Sequence, residues 1–361
     1  MRRRRYLLAL LLISIFLTTT INVNAEERLE NKTELEKNQI IDDTHIYTKI
    51  IVDKNDKTAY QSIQEAINSA ATDSTIYIKN GYYNEILNIR KRINIIGENK
   101  EKTIINPTTK KNSYVIRIAV EGVKISNIGI QNQGPGIYST GIKVSARETT
   151  ISNCDIFDTA IGIALWSSNN TISNCRFWGC EDEGIAFLGS YSNQCNNNIV
   201  TNCEFFNNCD GIELQYSSNN RISSCKFYDN SHAGIDAIGS ANNNNKIINC
   251  EINNNKVFGI YMSRSSGNQM TNCSLTDNKI MTTGSKDNTI TDCSLGTVYL
   301  TDDSQMSIMD CEDLDESKIK TINSEYEIKN KNILSRNLLI NRFLSLFRSG
   351  ILARIRTGLL Q

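Results

Sequence analysis

Six ionisable residues recur at matching places in a repeated line of sequence, and together they could do acid–base chemistry. Aligning the Gly-Ile pairs at Gly162, Gly184, Gly211, Gly234 and Gly259 puts Glu183 and Asp210 just before the glycine, and Glu213 and Asp236 two residues after it. Asp182 and His232 stand two residues before their own glycines. If the Ile after each glycine and the residue two beyond it point inward, the residue between them faces out. Glu213 and Asp236 then share one outer face, as do Glu183 and Asp210. Two carboxylates across a glycosidic bond are what acid/base glycoside cleavage requires, about 5 Å apart for retention and about 6.5–9.5 Å for inversion. Crowded like charges also raise one pKa, which makes an acid. The bland expectation for the same residues is that acids facing water keep a protein soluble.

Trp166, Tyr191, Tyr216 and Tyr261 fall near the loop edge of that face, and Arg264 is the nearest cation, one coil on. Aromatic rings over an elongated groove suit sugar stacking, which gives a carbohydrate-binding reading without catalysis. No residue is assigned as a metal ligand, because there are only two His and no CxxC pair. Two His and six Met give no support to copper handling either. Carboxylates near Asn-rich turns could hold Ca²⁺, although no loop has a calcium-motif spacing. No other cofactor is called for.

What must position these groups is a repeat. One line recurs as TISNCDIFDTAIGIAL, TISNCRFWGCEDEGIAF, VTNCEFFNNCDGIEL, RISSCKFYDNSHAGIDAI and KIINCEINNNKVFGIYM. Its markers are Cys154, Cys175, Cys203, Cys225, Cys250, Cys273, Cys293 and Cys311, spaced by 21, 28, 22, 25, 23, 20 and 18 residues. The pieces between turn residues alternate apolar and polar over three to five positions, which predicts short β-strands. A unit of roughly 22 residues cannot bury its own apolar face, so the units must stack as a parallel β-solenoid rising roughly 4.8 Å per coil. The two longest spacings carry their extra residues just after the Gly-Ile strand, at 189–198 and 239–245, so insertions project from one edge. Eight cysteines at one equivalent position read as an inward column of free thiols. Cys180, Cys195 and Cys209 lie outside that column, and a bridge among those three is left open. Upstream, Ile63, Ala66, Ile67 and Ala70 share one face of a short predicted helix that would cover the first edge of the solenoid.

Composition agrees. The chain has 361 residues with 39% hydrophobic content, so it can build a core, and 39 basic against 39 acidic residues give no reason to expect nucleic-acid binding. Residues 1–25 combine an Arg-rich start, an apolar stretch and small residues at Val23 and Ala25. They read as a signal peptide, with an uncleaved anchor as the alternative, and place the protein in the periplasm, at the cell surface or outside the cell. Residues 26–44 read as a linker and 45–327 as the solenoid. Residues 328–361 read as a basic amphipathic tail that could plug the last coil or lie on an anionic membrane surface.

The stretch SIQEAINSAATDSTIYIKNGYYNEILNIRKRINIIG and the ISNC and GI repeats after it resemble the right-handed parallel β-helix proteins of the pectin lyase-like superfamily. Within it they look most like NosD-like surface and periplasmic proteins, over roughly residues 46 to 325. The resemblance implies an all-β right-handed parallel β-helix of about ten coils with an N-terminal capping helix. It leaves activity open, because the superfamily includes lyases, hydrolases, esterases, epimerases and non-catalytic surface proteins. EDEGIA, NCDGIE and SHAGIDAIGS are also similar to the successive Asp, Asp and His motifs of polygalacturonases. That likeness implies Asp182 or Glu183 with Asp210 as acid and base, and His232 as a supporting group. The paired Asp-Asp, the glycine before the His and the Arg-Ile-Lys of those enzymes are missing here. Three function classes follow, in order: an exported polysaccharide-binding or structural surface protein, a polysaccharide-cleaving hydrolase or lyase, and a NosD-like metal-handling accessory protein.

Overall fold

The computed structural model describes residues 39–42, 45–107, 110–311 and 314–329. The signal-peptide reading, most of the linker reading and the tail beyond residue 329 lie outside them. Each full turn contributes three short strands to three parallel faces. One turn runs Thr171–Ser173 on the first face, Arg176–Trp178 on the second and Glu183–Leu188 on the third. The first face stacks thirteen parallel strands, from His45–Val52 to Glu325–Lys329. The β-helix thus has about 13 turns, more than the ten expected. The cysteine column that guided the count begins only at Cys154, four turns in.

The sequence winds this way because each turn supplies the backbone geometry that its residues favour. Asn153, Asn174, Asn202, Ser224, Asn249, Asn272, Asp292 and Asp310, each just before a column cysteine, have φ between 50° and 55°. Asn and Asp tolerate this left-handed conformation better than other non-glycine residues. The corner it makes aims the following cysteine inward. All eight column thiols are buried, and all eleven cysteines are free. No bridge forms among Cys180, Cys195 and Cys209: Cys180 and Cys195 are buried in separate columns, and Cys209 is half-buried.

Two asparagine ladders run parallel to the thiols. Asn170, Asn198, Asn220, Asn245, Asn268 and Asn288 each accept, through Oδ1, the backbone N–H of the equivalent residue one turn earlier, at 2.8–2.9 Å. Asn208, Asn230, Asn255 and Asn278 do the same at the next corner, at 3.0–3.3 Å. Between the ladders the core is Ile, Val and Leu, with Phe177, Phe205 and Phe227 stacked at 4.8 Å.

The predicted helix is present as Ile63–Ser69 and buries Ile63, Ala66 and Ile67 over the first turn. The Glu85 carboxylate caps it, accepting from Ser62 Oγ at 2.6 Å and from the N–H groups of Ile63 and Gln64 at 3.0 Å. Gln39–Asp42, in the stretch read as linker, pairs antiparallel with the first strand and covers its outer edge.

Candidate functional site

The third face carries the acidic residues. Its strands Glu183–Leu188, Asp210–Gln215 and Ala233–Ala237 pair in register, with Glu183 opposite Asp210 and Glu213 opposite both Ala186 and Asp236. Among the described residues these strands belong to the sixth, seventh and eighth turns, with five turns on either side. Two outward columns three residues apart can converge because the first of the two positions between them is glycine. A Cβ on Gly211 would stand 2.5 Å from the Gly234 carbonyl oxygen and 2.6 Å from the Phe227 ring. The backbones close up there, and the residues on either side project to the same surface.

The register agrees with the sequence, but the environment departs from it. Carboxylates expected to face water are largely buried: Glu183 is 5%, Asp210 5% and Asp236 4% exposed, and Asp182 and Glu213 are half-buried. Among the described residues no Lys or Arg pairs with any of them, and His232 pairs with Asp210 and Asp236 alone. Burial, then the charges of Asp182 and Glu213, push Glu183 up to about 9. Burial, then Asp210 and Glu213, push Asp236 up to about 8. Glu213 rises to about 7 through burial and Asp182, and is held down by a hydrogen bond from Glu183. Glu183 and Glu213 act on each other as neighbouring acids, and burial raises both. Asp182 is raised by burial and by Asp210. Asp210 is raised by burial, offset by His232 and by the Ala233 N–H, which donates to its Oδ1 at 2.7 Å. Two oxygens, Glu183 Oε2 and Asp236 Oδ1, are buried with no hydrogen-bond partner. Such an arrangement opposes folding, so it is more than surface decoration.

His232 sits at the turn entering the eighth-turn strand. Its Nδ1 lies 2.9 Å from Asp210 Oδ1 and 3.6 Å from Asp236 Oδ2, and its ring stands edge-on to Phe258. These three residues are the described group that could hold a metal ion. Tyr261, opposite Asp236 one turn on, stacks on Phe258. The other predicted aromatic and cationic residues are not in this cluster. Trp166, Tyr216 and Arg264 occupy the corner that ends the third face, and Tyr191, 90% exposed, lies in the first insertion. Trp166 borders a separate depression of about 390 Å³ with Arg147 and Asn193, and Lys143 lies over its ring. Next to Asp182, Glu181 lines a groove of about 330 Å³ with Asn132, Pro135 and Asp158.

Sequence reasoning missed one aromatic feature. Phe157, Trp178, Phe206 and Tyr228 form a half-exposed stack on the outside of the second face, with centroids 4.7, 5.7 and 5.2 Å apart. The signal was available, since each stands three residues after a column cysteine.

Comparison with known proteins agrees with the fold. The family described as the right handed beta helix region matches residues 93–245 and 191–275. The A-module of the Azotobacter vinelandii mannuronan C-5 epimerase AlgE4 has a similar structure, with a TM-score of 0.60 and 14% identity, over 75% of this chain and 86% of that one. The pectate lyase Pel9A gives a TM-score of 0.50 at 13% identity, over 77% of this chain and 78% of that one. In sequence, 127 residues are 27% identical to the Arabidopsis thaliana pectinesterase/pectinesterase inhibitor 18, which is 31% of this chain and only 23% of the relative. At such identities the structural likeness speaks for the fold alone.

Proposed function

The chain belongs to the right-handed β-helix family, and from that premise we propose that it is a polysaccharide-cleaving enzyme whose acid–base pair is Glu183 and Glu213. The observation that carries this reading is the buried, crowded acid cluster on the third face, which the surface-decoration reading does not explain. Glu183, up at about 9, keeps its proton at neutral pH and protonates the glycosidic oxygen. Glu213, at about 7, supplies the ionised partner that activates water or attacks the sugar. The polygalacturonase-like pairing of Glu183 with Asp210 keeps its acid but changes its base, because Asp210 is turned toward His232. The names of the pectate lyase, the epimerase and the pectinesterase support a polysaccharide substrate.

A second reading, glycan binding without cleavage, is favoured by the outer aromatic stack Phe157–Trp178–Phe206–Tyr228. The sequence of residues 1–25 supports export. The test is reducing-sugar release and unsaturated-product absorbance on a panel of acidic and neutral polysaccharides, for wild type and Glu183→Gln. Release that falls at least about 100-fold in the variant supports the enzyme. A folded wild type that releases nothing but is retained on a polysaccharide column refutes it in favour of binding.

A further inference from the structure

Beside the Glu183–Glu213 pair, three side chains converge from two adjacent turns: Asp210 from one, His232 and Asp236 from the next. Their donor atoms all lie within 4.8 Å of one another. Asp236 is 4% exposed, one of its oxygens faces His232 Nδ1 at 3.6 Å, and the other, Oδ1, is buried with no hydrogen-bond partner. A carboxylate so enclosed lacks a cation, and among the described residues neither Lys nor Arg supplies one.

We propose that Asp210, His232 and Asp236 hold a divalent transition-metal ion of the Zn²⁺ or Mn²⁺ class. The two separations measured from His232 fit one, and all three donors lie within 4.8 Å of one another. An ion about 2.1 Å from each donor subtends about 90° across the 2.9 Å between Asp210 Oδ1 and His232 Nδ1, and about 120° across the 3.6 Å between His232 Nδ1 and Asp236 Oδ2. Both angles belong to four- to six-coordinate sites. The imidazole nitrogen selects against Ca²⁺, which takes oxygen ligands, and for the borderline ions that accept imidazole and carboxylate together. Three protein donors leave positions open for water or a sugar oxygen. The metal site stands on its own geometry, and only its role toward substrate rests on the enzyme reading.

The test uses the full chain stripped with chelator and titrated calorimetrically with Zn²⁺, Mn²⁺ or Ca²⁺ alone. We expect one Zn²⁺ or Mn²⁺ per chain, at least tenfold weaker binding in His232→Gln and Asp236→Asn, and no comparable Ca²⁺ binding. With only two histidines in the chain, His45 and His232, Mn²⁺ should broaden the His232 ring signals selectively. Because Asp236→Asn keeps the side chain's shape and removes only a buried acid that has no Lys or Arg partner, the metal-free variant should melt no lower than wild type, which separates lost binding from lost folding. Binding that is unchanged in both variants, less than half an ion per chain, or preference for Ca²⁺ overturns the proposal. Glu183-dependent cleavage by a chain that binds no metal would sink this inference and leave the enzyme reading intact. A bound metal without cleavage would do the reverse.

Discussion

Glu183 shows at the scale of one residue why the site differs from the solvated face that the sequence suggested. Its outward direction follows from the Gly-Ile register and was legible. Its burial depends on Asp182, Glu213 and the coils above and below, which no single repeat encodes. A carboxyl whose folded pKa is raised holds its proton more tightly folded than unfolded, so its contribution is full below the unfolded value and is lost as pH rises through the folded one. With Glu183 at about 9 and Asp236 at about 8, the metal-free chain should lose stability steadily from about pH 5 to about pH 9. Glu183→Gln should flatten that slope and raise the melting temperature by a few degrees at pH 8.5; an unchanged or lower Tm there counts against the cluster. If the pair is catalytic, kcat/KM should rise near pH 7 and fall near pH 9, the two limbs belonging to the pair jointly. The cysteines give another residue-scale check. Burial pushes the Cys180 and Cys195 thiols up to about 12, and Cys209 alone of the eleven is not fully buried. A native chain should therefore react with about one equivalent of a thiol reagent and a denatured chain with eleven. Rapid native reaction of several thiols would mean that the column is not closed.

At the scale of the element, the Asn runs were read as turns, and that was only partly right. In the run Asn242–Asn245 each residue has a different task. Asn242 accepts the Ser217 N–H, Asn243 accepts the Ser266 N–H, Asn244 takes the left-handed corner, and Asn245 stands in the ladder. Adjacent identical residues hide which one is inward, whereas the isolated cysteines announce it, so the thiol column was legible and the amide ladders were not. Replacing Asn220 by Ala strips the acceptor from the Asn198 N–H and the donor from the Cys195 carbonyl. A loss of about 1–3 kcal/mol is expected, read as a lower urea midpoint with unchanged slope. Asn220 would be no ladder member if the midpoint stayed where it was. Gly211→Ala should destabilise by at least about 1–3 kcal/mol, because the added methyl meets backbone that cannot yield.

The described turns form a stack in which each touches only its neighbours, so their stability is a sum of nearest-neighbour contacts and opening begins at the ends of the stack. Fold class was readable from periodicity alone, but the number of turns was not, because the turns before Cys154 lack the cysteine marker. The placement of the acid cluster in the sixth to eighth turns has a kinetic meaning. Crowded, half-paired carboxylates weaken the turns that carry them, and here five described turns on each side flank those turns and must unzip before that tension is released from an end. Amide exchange should accordingly be slowest around Ile212 and quicken toward both ends. The length of the solenoid thus acts as a clamp, giving the molecule a place to keep electrostatic strain that a shorter stack would shed by fraying.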